Sequence, residues 1–316
     1  MNRPKKNRII YLDVLKCLAA FLTVFYHFSY YKLNYGYAEG TVYLPNIERI
    51  VMCFAASCVP IFFMVNGTLM FSRERNWKDV YKKAIKIGIL ILIWSVFEFP
   101  SWFFKTLIIL YILFPVFQYL YIHKRRMYYL VETLIFIMPF LYNFSLLCLK
   151  AMGILKANQL SVTGVFTMYS ILYFLLGPQL RKLNLNKAKS IILIILGWAL
   201  VVVECVVYTN IDHFMYDGVN VAFPTIGALM LSVGIYTLVS KIKWNKIGHY
   251  ISFVSGEILS IFVLHMMVIR GLESIIGFEK ANLVIALGFS ILIFGICVCI
   301  GKIMKKIPII KELFVI

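Results

Sequence analysis

The sequence predicts an all-α fold: a polytopic transmembrane helical bundle of about ten spans with both termini cytoplasmic. Three observations carry that expectation. Composition is the first: 62% of the 316 residues are hydrophobic and the mean hydropathy is +0.86, whereas soluble globular chains are roughly 45–50% apolar. The second is the form of the apolar stretches, which are continuous and about 20 residues long, as membrane helices require, and do not alternate as β-barrel strands do. The third is the placement of positive charge, which is strongly one-sided.

The chain begins MNRPKKNR and runs directly into an apolar stretch. That pattern resembles a signal peptide, but the stretch is too long and lacks an evident small-residue cleavage site, so it reads as a retained first helix. Spans are expected at about 9–31, 49–71, 84–99, 103–122, 127–148, 162–180, 189–208, 219–240, 251–270 and 282–301. The third is short and closes on a tight turn at Phe99-Pro100-Ser101; were 84–122 one re-entrant element, both flanks would keep their sides. With these spans, 24 of the 32 Lys and Arg residues fall on one side, which assigns that side and both termini to the cytoplasm. The other side receives only Lys32, Arg49, Lys105, Lys150, Lys156 and Lys280, with Arg270 at a boundary and Lys16 inside a span. The net charge of +18 is thereby explained as a topology signal facing anionic lipid, with no need of nucleic acid. No loop is long enough for a soluble domain, so residues 1–316 are expected to form a single integral domain. The seven cysteines all lie in apolar runs, are odd in number and form no C-x-x-C pair, which favours packing over disulfides or a metal site.

Polar residues inside the spans are the candidates for function, because an ionised group near the centre of a membrane helix costs at least about 2.5 kcal/mol. The first span, RIIYLDVLKCLAAFLTVFYHFS (8–29), carries Asp13, Lys16 and His27. At 100° per residue, with Asp13 at zero, Lys16 falls near 300°, Thr23 near 280° and His27 near 320°, so one polar stripe runs to a histidine about 21 Å away. The bland alternative is that Asp13 and Lys16 neutralise each other at the interface while His27 packs. In the second span Asn66-Gly67 invites local unwinding, tolerable where the backbone faces protein or a cavity. Gln118 and Asn143 read as helix–helix contacts, and Glu132 and Glu204 stay ambiguous. The ninth span holds Glu257, Ser260 and His265; Glu257 and His265 are about 12 Å apart and partly share a face.

The block Arg8-x4-Asp13-x2-Lys16 followed by His27 resembles the first-helix signature of the acyltransferase 3 family of membrane acyltransferases. VPIFFMVNGTLMFSRE (59–74), SWFFKTLIILYILFPVF (101–117), FLLGPQLRK (174–182) and IGHYISFVSGEILSIFVLHMMVI (247–269) resemble its later blocks, in the same order over nearly the whole chain. The sequence departs from the pattern where Lys16 and the cluster Lys82, Lys83 and Lys86 stand for arginines, where Asn66 stands for serine, and where the third loop is almost absent. Lysine keeps the charge but loses bidentate geometry.

The resemblance implies an O-acyltransferase of the bacterial plasma membrane. It would move an acyl group, most often acetyl, from cytoplasmic acyl-CoA to a hydroxyl of a cell-surface glycan or its lipid-linked precursor. A sugar hydroxyl is a poor nucleophile and needs a base near neutral pH, a role that suits histidine. His27 is the expected base, with His265 as a further catalytic candidate and Glu257 or a group on another helix as its orienting partner; Asp13 is too distant. Arg8, Lys16, Lys82, Lys83 and Lys86, with Asp13 beside them, are placed for the CoA phosphates, although plain positive-inside charge explains the lysine cluster equally well. Asn66 and Ser260 are expected to line the substrate site. Two other classes stay open: a transporter or flippase, since intramembrane charge serves transport as well, and a substrate-binding membrane module without acyl transfer.

Overall fold

The computed structural model describes residues 8–33, 41–96, 101–156, 168–244, 246–277 and 281–307. Eleven helices account for nearly all of them: α1 (Ile10–Lys32), α2 (Ile47–Met70), α3 (Trp77–Trp94), α4 (Ser101–His123), α5 (Arg125–Ala151), α6 (Met168–Leu180), α7 (Lys187–Asp212), α8 (Ile226–Ser240), α9 (Gly248–Ser255), α10 (Ile258–Ile276) and α11 (Leu283–Met304). Among the described residues there is no sheet, only an isolated bridge between Leu33 and Ala281. Several helices start where short polar side chains accept from the first free amides: Asn76 from Lys78, Asn186 from Lys189, Thr225 from Ala228 and Asn282 from Ile285.

Among the described residues seven helices, α1, α2, α4, α5, α7, α10 and α11, are long and apolar enough to cross a membrane. The other expected spans are helical but fall short of that test. α3 begins at Trp77 and carries Lys78, Asp79, Lys82, Lys83 and Lys86 within its first ten residues, while α6 and α8 have 13 and 15 residues. Residues 97–100 of the expected turn and the start of the 162–180 span lie outside the described residues.

Two expectations are corrected. The 251–270 segment is not one helix: α9 ends at Ser255 and α10 starts at Ile258. Gly256 is a poor helix former, and the break leaves its carbonyl to accept from Lys305 Nζ at 2.6 Å. Conversely, Asn66-Gly67 does not unwind; α2 is regular from Cys58 to Met70, and its irregular turn is upstream at Phe54–Ser57. Gly67 serves close approach instead. A Cβ there would sit 1.8 Å from the Phe174 carbonyl oxygen, and one at Gly177 would sit 2.4 Å from that of Met64. α2 and α6 thus meet backbone to backbone, as small residues permit in membrane bundles, and Thr68 Oγ1 donates across the seam to the Gly177 carbonyl at 2.8 Å.

Contacts gather the basic residues at one end of the bundle. Gln118 accepts from the Arg75 amide and donates to its carbonyl (2.9 and 3.0 Å), Arg125 lies over Tyr121, and Lys241 reaches Asn184. At the opposite end Lys32 pairs with Glu273 and Lys150 with Asp212. Arg49 is fully buried there, its Nε donating to Cys205 Sγ at 3.1 Å. Helix α1 is the axis: it packs on α2, α8, α9, α10 and α11, with Leu15, Ala19, Ala20 and Val24 wholly enclosed. A polar stripe on such a helix faces protein, not lipid.

Candidate active site

At the start of α1 the Asp13 carboxylate, nearly buried, bridges two cations: Arg8 Nε at 2.5 Å and Lys16 Nζ at 2.6 Å. Arg8 reaches further, donating through Nη2 to Ser255 Oγ (2.6 Å) and the Ser252 carbonyl (3.0 Å) of α9. An acidic group in the first helical turn also faces the positive end of the helix dipole. Asp13 therefore fixes two cations and ties α1 to α9.

Lys16 opens onto a cavity of about 300 Å³ between α1, α2, α3, α4 and the α9–α10 break. Its polar lining is Lys16, Asn66, Arg75, Lys83, Tyr111 and Ser255; the rest is apolar, chiefly Phe62, Phe103, Phe104 and Phe262. Asn66 Nδ2 donates to the Tyr111 hydroxyl at 3.2 Å. Arg75 is held by carbonyls at the end of α2, from Nε to Met70 (3.0 Å) and from Nη2 to Leu69 (2.7 Å). Those bonds satisfy acceptors that a helix end leaves open and point the guanidinium at the cavity.

Beyond the aromatic wall lies a much smaller void, about 10 Å³, lined by Thr23, Tyr26, His27, Cys58, Asn220 and again Phe103 and Phe262. His27 meets His265 of α10 here, with ring centroids 5.1 Å apart. His265 is fully buried, and its Nδ1 lies 3.0 Å from the Ile261 carbonyl. A carbonyl only accepts, so Nδ1 carries the proton and Nε2 is the basic nitrogen; that Nε2 is buried without a hydrogen-bond partner among the described residues. Tyr26, its ring tilted against that of His27 with centroids 5.0 Å apart, donates to Asp217 Oδ2 (2.9 Å) and accepts from Asn220 Nδ2 (2.5 Å). Asp217 lies in the connection between α7 and α8, where burial pushes its carboxyl above the ordinary carboxylate range against the pull of the Tyr26 hydroxyl.

The structure thus brings together His27 and His265 in one group and Arg8, Asp13, Lys16, Lys83 and Asn66 in another. It separates the remaining candidates from both. Glu257 pairs with Lys305 at 2.9 Å and accepts from Ser260, so the group facing His27 is His265 and not this carboxylate. Ser260 is buried against Gly301 of α11 and lines neither void. Lys82 and Lys86 are exposed and do not line the cavity. Arg75 and Tyr111 join the site without having been singled out in the sequence. Arg75 looked like one more topology charge, and nothing local marks Tyr111 among the aromatic residues of its span. Asp217 and Asn220 lie far from His27 in sequence and meet it only through Tyr26.

Fold and site together define a multi-pass membrane protein with a polar site enclosed among its helices. The chain belongs to the acyltransferase 3 family: the family's acyltransferase-domain model matches residues 9–100 and 97–302, nearly the whole sequence. No curated protein and no solved structure matches it.

Proposed function

We propose that this membrane acyltransferase moves an acyl group from acyl-CoA to a hydroxyl of a cell-surface glycan or its lipid-linked precursor. In this reading the bundle crosses a bacterial plasma membrane ten times as a single integral domain, with its basic end and both termini cytoplasmic, as positive-inside placement favours. The observation that carries the proposal is the cavity at the basic end. It gathers Lys16, Arg75 and Lys83 on one side and shares its aromatic wall with the pocket of His27. The cations suit the phosphates of CoA, and the apolar stretch suits the pantetheine arm.

The reaction then follows from the histidine layer. The acceptor hydroxyl enters from the end opposite the cations, its oxygen attacks the thioester carbonyl, and His27 takes its proton as the carbon–oxygen bond forms. The tetrahedral carbon collapses, the carbon–sulfur bond breaks, and the CoA thiolate leaves with the proton that His27 held. His265 fixes the plane of the pair through its bond to Ile261 and offers its buried Nε2 to the same layer. Tyr26, held by Asp217 and Asn220, supplies a hydrogen-bonding wall against which a polyhydroxyl acceptor can align. The test is mass spectrometry of surface glycans from cells expressing the wild type or His27→Ala. Loss of the acyl mass with unchanged membrane expression is expected; retained acylation by a correctly inserted variant overturns the assignment.

A further inference from the structure

We propose that Phe62, Phe103 and Phe262 form an aromatic sill that sets the length of the acyl group this protein transfers, an inference that rests on the acyltransferase reading above. The three rings come from different helices, α2, α4 and α10, and meet at one place. Phe62 and Phe262 have centroids 4.6 Å apart, Phe103 and Phe262 stack at 4.9 Å and 21°, and Phe62 and Phe103 lie 5.8 Å apart. All three are buried. All three line the larger cavity, and Phe103 and Phe262 also line the void beside His27. Phe262 further contacts His265 edge-on at 6.2 Å. The same two rings are therefore the wall between the donor compartment and the histidine layer.

The volumes on either side are very unequal, about 300 Å³ against about 10 Å³. A space of the second size holds about one water-sized group. A donor whose phosphates lie among the cations enters acyl end first, so the tail beyond the carbonyl is what the smaller void must accept. An acetyl methyl meets that limit. Each added methylene has to displace Phe103 or Phe262, and those rings are held by Phe62 and Phe104 as well as by each other. Selection by exclusion follows, with the rings acting on the tail and not on the reacting carbonyl.

The experiment uses membranes from cells expressing the full chain, which also supply the native acceptor, with radiolabelled two-, four- and six-carbon acyl-CoA donors. The wild type is expected to transfer the four-carbon group at least about tenfold less well than acetyl, the discrimination a few methylenes give in an apolar pocket. Phe103→Leu and Phe262→Leu, made separately, are expected to raise the four-to-two-carbon ratio about fivefold or more. A purely structural role would lower transfer from all donors together and leave that ratio where it was, which overturns the proposal. A wild type that uses two- and six-carbon donors equally overturns it without any variant. A wild type that transfers label from no acyl-CoA rejects the acyltransferase reading itself, an outcome distinct from an unchanged ratio.

Discussion

The two ends of α1 solve the problem of intramembrane polarity in opposite ways. At its start two cations share one carboxylate, one of them half exposed, and a cavity of about 300 Å³ opens beside them. Toward its far end, short of the Lys32–Glu273 pair that closes it, the polar groups around His27 form no ion pair among the described residues. Their hydrogen bonds run to a backbone carbonyl and, through the Tyr26 hydroxyl, to Asp217 and Asn220, around a void of about 10 Å³. The first arrangement tolerates a large charged visitor, because its cations are already fixed and its walls stand apart. The second has room for about one water-sized group, so the hydrogen bonds made there are stronger than they would be in water. One helix thus joins a place that binds to a place suited to chemistry, and a helical stripe some 21 Å long is what such a link requires.

The sharpest way to break this contrast is at the histidine layer. His27→Ala should lower acyl transfer by about 10²–10⁴-fold, the usual contribution of a general base, while donor affinity at the other end stays the same. Equilibrium binding of acetyl-CoA to purified protein measures the second quantity; a parallel loss of both would mean that the two regions are not separable. At the charged end the effect should have the opposite form. Asp13→Asn leaves Arg8 and Lys16 without their shared carboxylate, so Lys16 is no longer held at the cavity. KM for the donor is expected to rise about tenfold with kcat within about twofold, the pattern of lost uniform binding. An equal fall in kcat would place Asp13 in the chemical step.

A smaller effect sharpens the reading of α3. Lys83→Ala should raise donor KM several-fold, about the worth of one charge-assisted contact, whereas Lys82→Ala and Lys86→Ala should stay within about twofold, since neither lines the cavity. Steady-state kinetics on the three variants decides this, and equal effects would point to diffuse surface charge. The distinction was in principle legible in the sequence. On a helical projection Lys83 lies on the same face as Val80, Ile87, Leu90 and Trp94, all buried, while Lys82 and Lys86 are rotated away from it. Read as a cluster, the three lysines looked alike; read by periodicity, one of them points inward.

Other features were legible to different degrees, and for physical reasons. The apolar runs located the helices, because a membrane helix needs only length and hydropathy. The stripe on α1 identified Asp13, Lys16 and His27, because one helix carries them at known angles. What could not be read is whatever depends on which helices are neighbours. His265 meets His27 because α10 packs on α1, and Glu257 misses it because Lys305, just past the end of α11, claims the carboxylate. The break at Gly256 rests on a single weak residue within an apolar run, and helix propensity alone does not separate it from the regular helix through Gly67. The difference between those glycines is tertiary: Gly67 faces a neighbouring backbone, whereas the Gly256 carbonyl faces a lysine.

The smallest effect concerns the Tyr26 side of the histidine layer. The Asp217 carboxyl sits above the ordinary range because of burial, against the Tyr26 hydrogen bond, and its Oδ1 is buried without a partner among the described residues. A raised carboxyl binds its proton more tightly in the folded state. The folded state then holds more protons than the unfolded one between the ordinary carboxylate value near pH 4 and the raised value, and stability falls as pH rises through that window. At neutral pH the ionised group is a burden on the fold. Asp217→Asn keeps an acceptor for Tyr26 and removes the charge, so its thermal midpoint at neutral pH should equal or exceed that of the wild type by no more than about 2 °C. The gain should disappear on acidification, as the wild-type carboxyl takes up its proton. Thermal unfolding of both proteins in detergent across that range measures the slope. A variant less stable at neutral pH would show that the negative charge itself holds Tyr26 and Asn220 in place.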